Sequence, residues 1–249
     1  MIKKWITLLA LVAGGFWFSV NASAAEVAGL QHAGNDLGDR ASLQRGAKLF
    51  MNYCSGCHSL KYLRYSRMAG DLGLTEEQVQ QDLNFTNGGF GDHIETAMTE
   101  ADGTKWFGKA PPDLTLNARV RGTDWIYTYL KSFYLDESRP TGWNNTVYAN
   151  AAMPNPLWEL QGVQVAEWGA QDKETKEYPI VGFTLERGGS QTADEYDQSV
   201  RDITNFLAYA AEPVGIKRQG LGVWVILFCV IFTFVAYLLK KEYWKDVEH

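Results

Sequence analysis

A five-residue run of two thiols and one imidazole, Cys54-Ser55-Gly56-Cys57-His58, constrains this chain more than any other feature. Two cysteines three positions apart, with a histidine directly after the second, are typical of the covalent attachment of c-type haem. About one helical turn separates the two sulfurs, which matches the two vinyl groups of a porphyrin and holds His58 beneath the iron. The motif therefore predicts thioether links at Cys54 and Cys57 and an axial iron ligand at His58.

Two other interpretations of the cysteine pair are a thioredoxin-like redox pair and half of a zinc site. A zinc site needs further cysteine or histidine residues at metal-ligand spacing. The remaining cysteine, Cys229, lies in an apolar run, and the other histidines, His32, His93 and His249, are scattered along the chain. These positions favour haem over both alternatives.

The N-terminus, residues 1–25, has the pattern of a secretory signal peptide. Two lysines at 3–4 precede an apolar run at 5–20, and small residues follow at 22–25. The apolar run is shorter than the ~20 residues that a membrane span needs, which argues against the alternative of a retained anchor helix. A mitochondrial transit peptide would be rich in Arg and Ser, so this leader predicts export to a bacterial periplasm.

The C-terminal part of the chain contains one predicted membrane span. Residues 221–239 carry no charged side chain and would form a helix about 28 Å long, close to the thickness of the hydrocarbon core. The sequence thus divides into a periplasmic c-type haem domain at 26–213, a juxtamembrane linker at 214–220, this transmembrane helix and a cytoplasmic tail at 240–249. The predicted protein crosses the bacterial inner membrane once, with its C-terminus in the cytoplasm.

The charge of the chain limits its partners. The formal net charge is −6 at pH 7, and basic residues outnumber acidic ones in the leader and around the span. The predicted exported domain is therefore more acidic than the whole chain. An acidic surface disfavours nucleic acid and suits a transient complex with a basic redox partner, although ordinary solubility is an alternative explanation of the same charge.

Hydrophobic periodicity predicts a mainly α domain with long loops and little strand. Together with the haem motif, this pattern resembles a cytochrome c-like haem domain. The predicted elements are a helix at 43–53 leading into the haem motif, a helix at 124–133, a hairpin from 163–168 and 178–185, and a helix from the capping box at Thr192 to Pro213. The first and last helices are expected to pack together, as in small c-type cytochromes. Gly46 would permit their close approach.

The iron of a haem bound by His58 has either a second axial ligand or an open site. The exported candidates for this ligand are Met51, Met68, Met98, Met153, His32 and His93. Met51 lies inside the approach helix, and Met68 follows His58 too closely to wrap round a porphyrin. Met98 belongs to a helical apolar face at 94–100, where a methionine is usually a core residue.

Met153 stands in a different setting, Ala151-Ala152-Met153-Pro154-Asn155-Pro156, where two prolines fix an extended, non-helical backbone. Such a rigid loop can hold a thioether over iron at little entropic cost, so Met153 is the predicted ligand. His93, His32 and an open site remain the alternatives. Axial Met and His together raise the reduction potential and give an electron carrier, whereas an open site would bind oxygen, peroxide or nitric oxide.

Several further segments occur in the order and at the spacing of a known family. They are Ser59-Leu60-Lys61-Tyr62-Leu63-Arg64-Tyr65, Ala110-Pro111-Pro112-Asp113-Leu114-Thr115, Ala152-Met153-Pro154 and Ala208-Tyr209-Ala210-Ala211-Glu212-Pro213. Together with the haem motif and the C-terminal anchor, they closely resemble the cytochrome c1 family over nearly the whole mature chain. That family is the membrane-anchored haem subunit of the cytochrome bc1 complex, a quinol:cytochrome c oxidoreductase.

The resemblance implies one covalently bound haem c that takes electrons from the Rieske iron-sulfur protein and passes them to a soluble cytochrome c. Cytochrome b is a further implied partner, and no independent catalysis is expected. The resemblance also implies that Met153 is the sixth ligand, that the carbonyl of Pro111 accepts the proton of the His58 imidazole, and that Arg121 contacts a haem propionate. The alternative functions are an anchored c-type cytochrome of another respiratory complex, and a haem sensor or peroxidase with an open distal site.

Overall fold

The computed structural model describes residues 29–171, 176 and 178–246. The predicted leader lies outside these residues. The helices are α1 (Arg40–Tyr53), α2 (Tyr65–Leu72), α3 (Glu76–Asp82), α4 (Glu100–Phe107), α5 (Asn117–Arg121), α6 (Thr123–Lys131), α7 (Trp158–Gln161), α8 (Ala193–Ala211) and α9 (Gly215–Tyr243). The strands are β1 (Leu60–Arg64), β2 (His93–Ile94), β3 (Phe133–Leu135), β4 (Trp143–Asn145), β5 (Gly162–Trp168) and β6 (Ile180–Gly188). The described chain is therefore mainly helical with few short strands, as the sequence predicts.

Both long helices of the haem domain begin at side-chain caps. The Asp39 carboxylate accepts a hydrogen bond from the backbone N–H of Ser42 and starts α1. At the start of α8, the Thr192 side chain accepts from the backbone N–H of Glu195, and the Glu195 carboxylate accepts from the N–H of Thr192. This is the capping box that the sequence predicts, and it satisfies two N–H groups that a helix leaves unpaired at its start.

Helix α1 crosses helix α8 in backbone contact, as predicted. A Cβ atom on Gly46 would lie 2.0 Å from the carbonyl oxygen of Asp202 and 2.8 Å from the Cβ of Phe206. One turn further on, the Phe50 and Phe206 rings pack with centroids 5.6 Å apart. The side chain of Arg45 closes the edge of this contact, with its Nε 2.6 Å from a carboxylate oxygen of Asp202. The crossing fixes the end of α1, where the haem motif begins.

Helix α6 packs on α8 through a half-buried ionic cluster. The Lys131 ammonium lies 2.5 Å from one carboxylate oxygen of Asp197, and the Arg201 guanidinium lies 2.7 Å from the other. The Tyr127 hydroxyl donates to the same carboxylate. The helix ends at Lys131 rather than at the predicted residue 133, because Phe133 begins β3 and pairs with Asn145.

The predicted hairpin is confirmed, with β5 and β6 paired antiparallel from Gly162↔Gly188 to Trp168↔Ile180. The predicted helical face at 94–100 is wrong. Ile94 pairs with Leu60 in β2, and α4 begins only after Met98, at a cap where Thr99 accepts from the N–H of Asp102. Hydrogen bonds from the Thr96 hydroxyl to Gly56 O and from the Thr96 N–H to the Ser59 hydroxyl hold this segment out of a helix.

The C-terminal helix α9 contains the predicted span. Residues Gly220–Tyr243 are long and apolar enough to cross a membrane, and their side chains are not buried against the rest of the structure. The helix begins at Gly215, so most of the predicted linker at 214–220 is helical. Pro213 separates α8 from α9, because proline lacks the backbone N–H that would continue α8.

Candidate haem site

The haem motif forms a tight coil directly after α1. The N–H groups of Cys54 and Ser55 both donate to the carbonyl of Phe50, which ends the helix. The N–H groups of Cys57 and His58 then both donate to the carbonyl of Cys54, at 3.1 and 2.9 Å. These bonds fold the five residues back on themselves, so that the two thiols and the imidazole line one cavity.

The His58 imidazole is fixed by a backbone carbonyl. Its Nδ1 lies 2.7 Å from the carbonyl oxygen of Pro112. A carbonyl only accepts, so Nδ1 carries the proton and Nε2 keeps a free lone pair. The residue is 8% exposed, and burial lowers the pKa of its imidazole although the Pro112 bond opposes that effect. His58 is therefore a neutral imidazole with an unprotonated nitrogen, the form that binds iron.

The prediction that Pro111 supplies this carbonyl is wrong by one residue. The segment is anchored beside β1, where the N–H of Leu114 donates to Ser59 O at 2.9 Å and the Asp113 carboxylate accepts from the N–H of Lys61 at 2.8 Å. Along an extended backbone, consecutive carbonyls point to opposite sides. With Asp113 and Leu114 held in this way, the carbonyl of Pro112 faces His58, while Pro111 contributes to the cavity wall.

The cavity has a volume of about 270 Å³ and is lined mainly by apolar atoms. Helix α8 supplies Ile203 and Leu207, and helix α6 supplies Ile126 and Leu130. Cys54, Cys57 and His58 form one part of the lining, and Met153 belongs to the same lining. Of the candidate ligands in the described chain, Met51, Met68, Met98, His32 and His93 do not line it.

The loop that carries Met153 is held by its own side chains. The Asn155 side chain is buried, donates to the Gln161 side chain at 3.0 Å and accepts from the N–H of Leu157 at 2.9 Å. The sulfur of Met153 lies 3.6 Å from the Tyr129 hydroxyl, which donates to it. Burial raises the pKa of Tyr129 to about 12, so this hydroxyl keeps its proton at neutral pH.

The remaining candidates for the second ligand have other roles. Met51 and Met68 are buried in the core. The His32 ring is exposed and lies 3.2 Å from the Asp124 carboxylate. His93 lies in β2 and pairs with Arg64. The structure thus brings Met153 alone of these predicted alternatives to the cavity of His58.

The two non-haem interpretations of the cysteine pair find no support in the site. Burial raises the pKa of Cys54 to about 12 and also raises that of Cys57, whereas a redox-active pair needs an accessible thiolate of low pKa. Within the described residues, no group of three or more His, Cys, Asp or Glu side chains could hold a metal ion. A zinc site at Cys54 and Cys57 would need such a group.

Comparison with known proteins gives one family. The Cytochrome C1 family matches residues 35–247. Cytochrome c1 of Allochromatium vinosum is 53% identical over 218 residues, which cover 88% of this chain and 89% of the relative. The chain belongs to the cytochrome c1 family.

Two other relatives carry different names. The ammonia monooxygenase gamma subunit of Nitrosomonas europaea is 41% identical over 244 residues, 98% of each chain. Cytochrome b/c1 of Bradyrhizobium diazoefficiens is 27% identical over 244 residues, which cover 84% of this chain and 34% of that longer protein.

Membership of the cytochrome c1 family implies haem c, and the cavity fits such a group. A haem needs an apolar enclosure with an unprotonated imidazole nitrogen, and a thioether is a common second donor. The cavity offers all three, together with both thiols. The donor set of this site is therefore that of a c-type haem.

Sequence reasoning missed part of the cavity wall. Along α5 and α6, the Arg121 guanidinium lies over the Trp125 ring, 5.1 Å from its centroid, and Trp125 stacks on Tyr129 at 4.9 Å. Arg121 itself lines the cavity, while its contact with a propionate stays a prediction. The signal in the sequence was the spacing of four residues between 125 and 129, which places these two side chains on one face of α6. Arg121 ends α5, and Gly122 separates it from α6, so the tertiary structure decides its place over Trp125.

Proposed function

We propose that this chain is the membrane-anchored haem subunit of a quinol:cytochrome c reductase, and that it passes electrons from the Rieske iron-sulfur protein to a soluble cytochrome c. The observation that carries the proposal is the presence of His58 and Met153 in the lining of one apolar cavity next to two thiols. A site with both axial positions filled by the protein favours electron transfer over the binding of small molecules.

The chain's own residues have separate tasks in this proposal. Cys54 and Cys57 form the thioether links of one haem c, which supplies a reversible one-electron centre when bound. His58 offers Nε2 to the iron because Pro112 holds the proton on Nδ1. Met153 offers its sulfur from a loop fixed by Asn155, and the apolar wall excludes water. Few polar groups would then need to reorganise when the bound haem gains or loses an electron.

Arg121 is the proposed partner of a haem propionate. It is the last residue of α5, lines the cavity and is exposed on its outer side. A guanidinium pairs well with a carboxylate in a bidentate geometry. Its guanidinium lies over the Trp125 ring, and a guanidinium in such a position can still direct its N–H groups to an acid. A surface charge is the alternative role.

The membrane topology belongs to the proposal as well. Helix α9 and the family support a single-pass anchor. The predicted leader would export the haem domain to the periplasm and leave the tail in the cytoplasm. Cytochrome b is the proposed partner within the membrane, which the name of the Bradyrhizobium relative, cytochrome b/c1, supports.

Replacement of Met153 tests the site. In the full-length protein purified in mild detergent, Met153→Ala should lower the haem reduction potential strongly and let the ferrous form bind carbon monoxide. Met98→Ala is the matched control, since Met98 lies outside the cavity lining, and it should change neither. An unchanged potential in Met153→Ala, or rapid carbon monoxide binding by the unmodified protein, would contradict the proposal.

Purification through a C-terminal tag tests the assembly. The proposal expects b-type haem and an iron-sulfur electron paramagnetic resonance signal to accompany the chain, with quinol:cytochrome c reductase activity. The Nitrosomonas relative motivates a second candidate, a subunit of a monooxygenase. A preparation with ammonia-oxidising activity and without the iron-sulfur signal would favour that candidate.

A further inference from the structure

Tyr129 makes a contact to Met153 that the proposed function does not use. Its hydroxyl lies 3.6 Å from the sulfur and donates a hydrogen bond to it, and both side chains line the same cavity. Sulfur acceptors form longer hydrogen bonds than oxygen acceptors, so this distance is an ordinary one. The contact joins helix α6 to the loop that carries the proposed ligand.

The Tyr129 ring is held firmly enough to direct its hydroxyl. It stacks on Trp125 with centroids 4.9 Å apart and planes 10° apart. On its other side it meets Phe133 in an edge contact at 4.9 Å. Phe133 is fully buried. Two aromatic neighbours thus fix the ring, and the hydroxyl is left with the Met153 sulfur in reach.

A thioether sulfur has two lone pairs and is a weak hydrogen-bond acceptor. If one lone pair binds iron, the other can accept from Tyr129. The hydrogen bond withdraws electron density from the sulfur, and its positive end lies near the iron. Both effects disfavour the ferric state, which carries one more positive charge than the ferrous state. The bond should therefore raise the reduction potential.

We infer that Tyr129 is a positioning residue for Met153, and that its hydrogen bond to the sulfur sets the haem reduction potential above the value that Met and His ligation alone would give. The inference rests on the proposed function, because it requires Met153 to be an iron ligand. Tyr129 would act on the iron only through Met153.

Tyr129→Phe tests the inference in the full-length holoprotein. The variant keeps the ring and its contacts with Trp125 and Phe133 and removes only the hydroxyl. Only part of an ordinary hydrogen bond's worth differs between the two oxidation states, so its loss should change their balance about two- to fivefold. At 59 mV for a tenfold change, the potential should fall by about 20–40 mV. Ferrous Tyr129→Phe should bind no carbon monoxide, since Met153 stays on the iron.

Tyr134→Phe is the matched control. Tyr134 is a buried tyrosine, but it packs on Trp168 and Phe183 and does not line the cavity. This variant should keep the potential of the unmodified protein. Absorption spectra and thermal unfolding of both variants check that haem content and fold are unchanged.

The outcomes separate this inference from the function on which it rests. A lower potential in Tyr129→Phe, with Tyr134→Phe unchanged, supports it. An unchanged potential in Tyr129→Phe, an equal fall in both tyrosine variants, or carbon monoxide binding at the level of Met153→Ala would overturn it. If Met153→Ala itself leaves potential and spectrum unchanged, the proposed ligation fails instead.

Discussion

Gly46 lies where helix α1 crosses helix α8, and Gly46→Ala is the most informative change in the scaffold. The new Cβ would lie 2.0 Å from the carbonyl oxygen of Asp202, which is 1 Å short of the 3.0 Å that such contacts respect. The obstructing atom belongs to the backbone and cannot rotate away. The helices must therefore separate, and the Phe50–Phe206 contact beside the crossing loosens.

The sign of the effect distinguishes packing from propensity. Alanine is better than glycine inside a helix by about 1 kcal/mol, so propensity alone predicts a more stable protein. Overpacking of a close contact costs about 1–3 kcal/mol or more. Because the obstacle is a backbone atom, we expect the free energy of unfolding to fall by about 2 kcal/mol in total. For a domain of this size, that is a fall in Tm of about 4–8 °C.

The assay is thermal unfolding of the detergent-purified holoprotein, followed by far-ultraviolet circular dichroism and the haem absorption band. Gly70→Ala is the matched control. Gly70 also lies inside a helix, α2, but a Cβ there would meet nothing within 4 Å. Gly70→Ala should leave Tm unchanged or raise it. If Gly46→Ala is as stable as the unmodified protein or more stable, the close crossing of α1 and α8 is refuted.

Three further predictions concern charge and capping. Burial would raise the pKa of the Asp197 carboxyl, but hydrogen bonds from Lys131, Tyr127 and Arg201 outweigh it and lower the pKa to about 2. The unfolded pKa is about 3.9, so Asp197→Asn should lower the free energy of unfolding by about 1–2 kcal/mol above pH ~4. This difference should shrink as the pH falls through 2, and a difference that keeps its full size there would contradict this origin. Thr192→Ala removes the capping box of α8 and should cost about 1 kcal/mol in urea unfolding, whereas no loss would mean that the cap contributes nothing measurable. Electron transfer to a basic soluble cytochrome c should slow as salt rises in stopped-flow measurements, and a rate independent of salt would exclude electrostatic steering.

Local patterns in the sequence predicted the elements that frame the site. The apolar stripe at 43–53 and the capping box at Thr192 encode α1 and α8, because helix periodicity and end capping depend on residues within one or two turns. The alternation at 163–168 and 178–185 likewise encodes the hairpin. The predicted helical face at 94–100 is wrong because contacts distant in sequence decide the structure there. Its apolar spacing fits a helix, but long-range hydrogen bonds from Thr96 to the haem motif and the pairing of Ile94 with Leu60 outweigh that preference.

The sequence by itself determined which chemical groups the candidate site can use, since two thiols, an imidazole and a methionine followed by two prolines are properties of the covalent chain. Tertiary structure alone decided which candidate ligand reaches the cavity of His58 and which neighbouring groups contact the two side chains. The sequence does not distinguish the carbonyl of Pro111 from that of Pro112. Only the anchoring of Asp113 and Leu114 turns the Pro112 carbonyl to His58. The meeting of Tyr129 with Met153 likewise depends on where α6 lies against the loop. Hydrogen bonds depend on distance and direction, and the packing of the whole chain sets both.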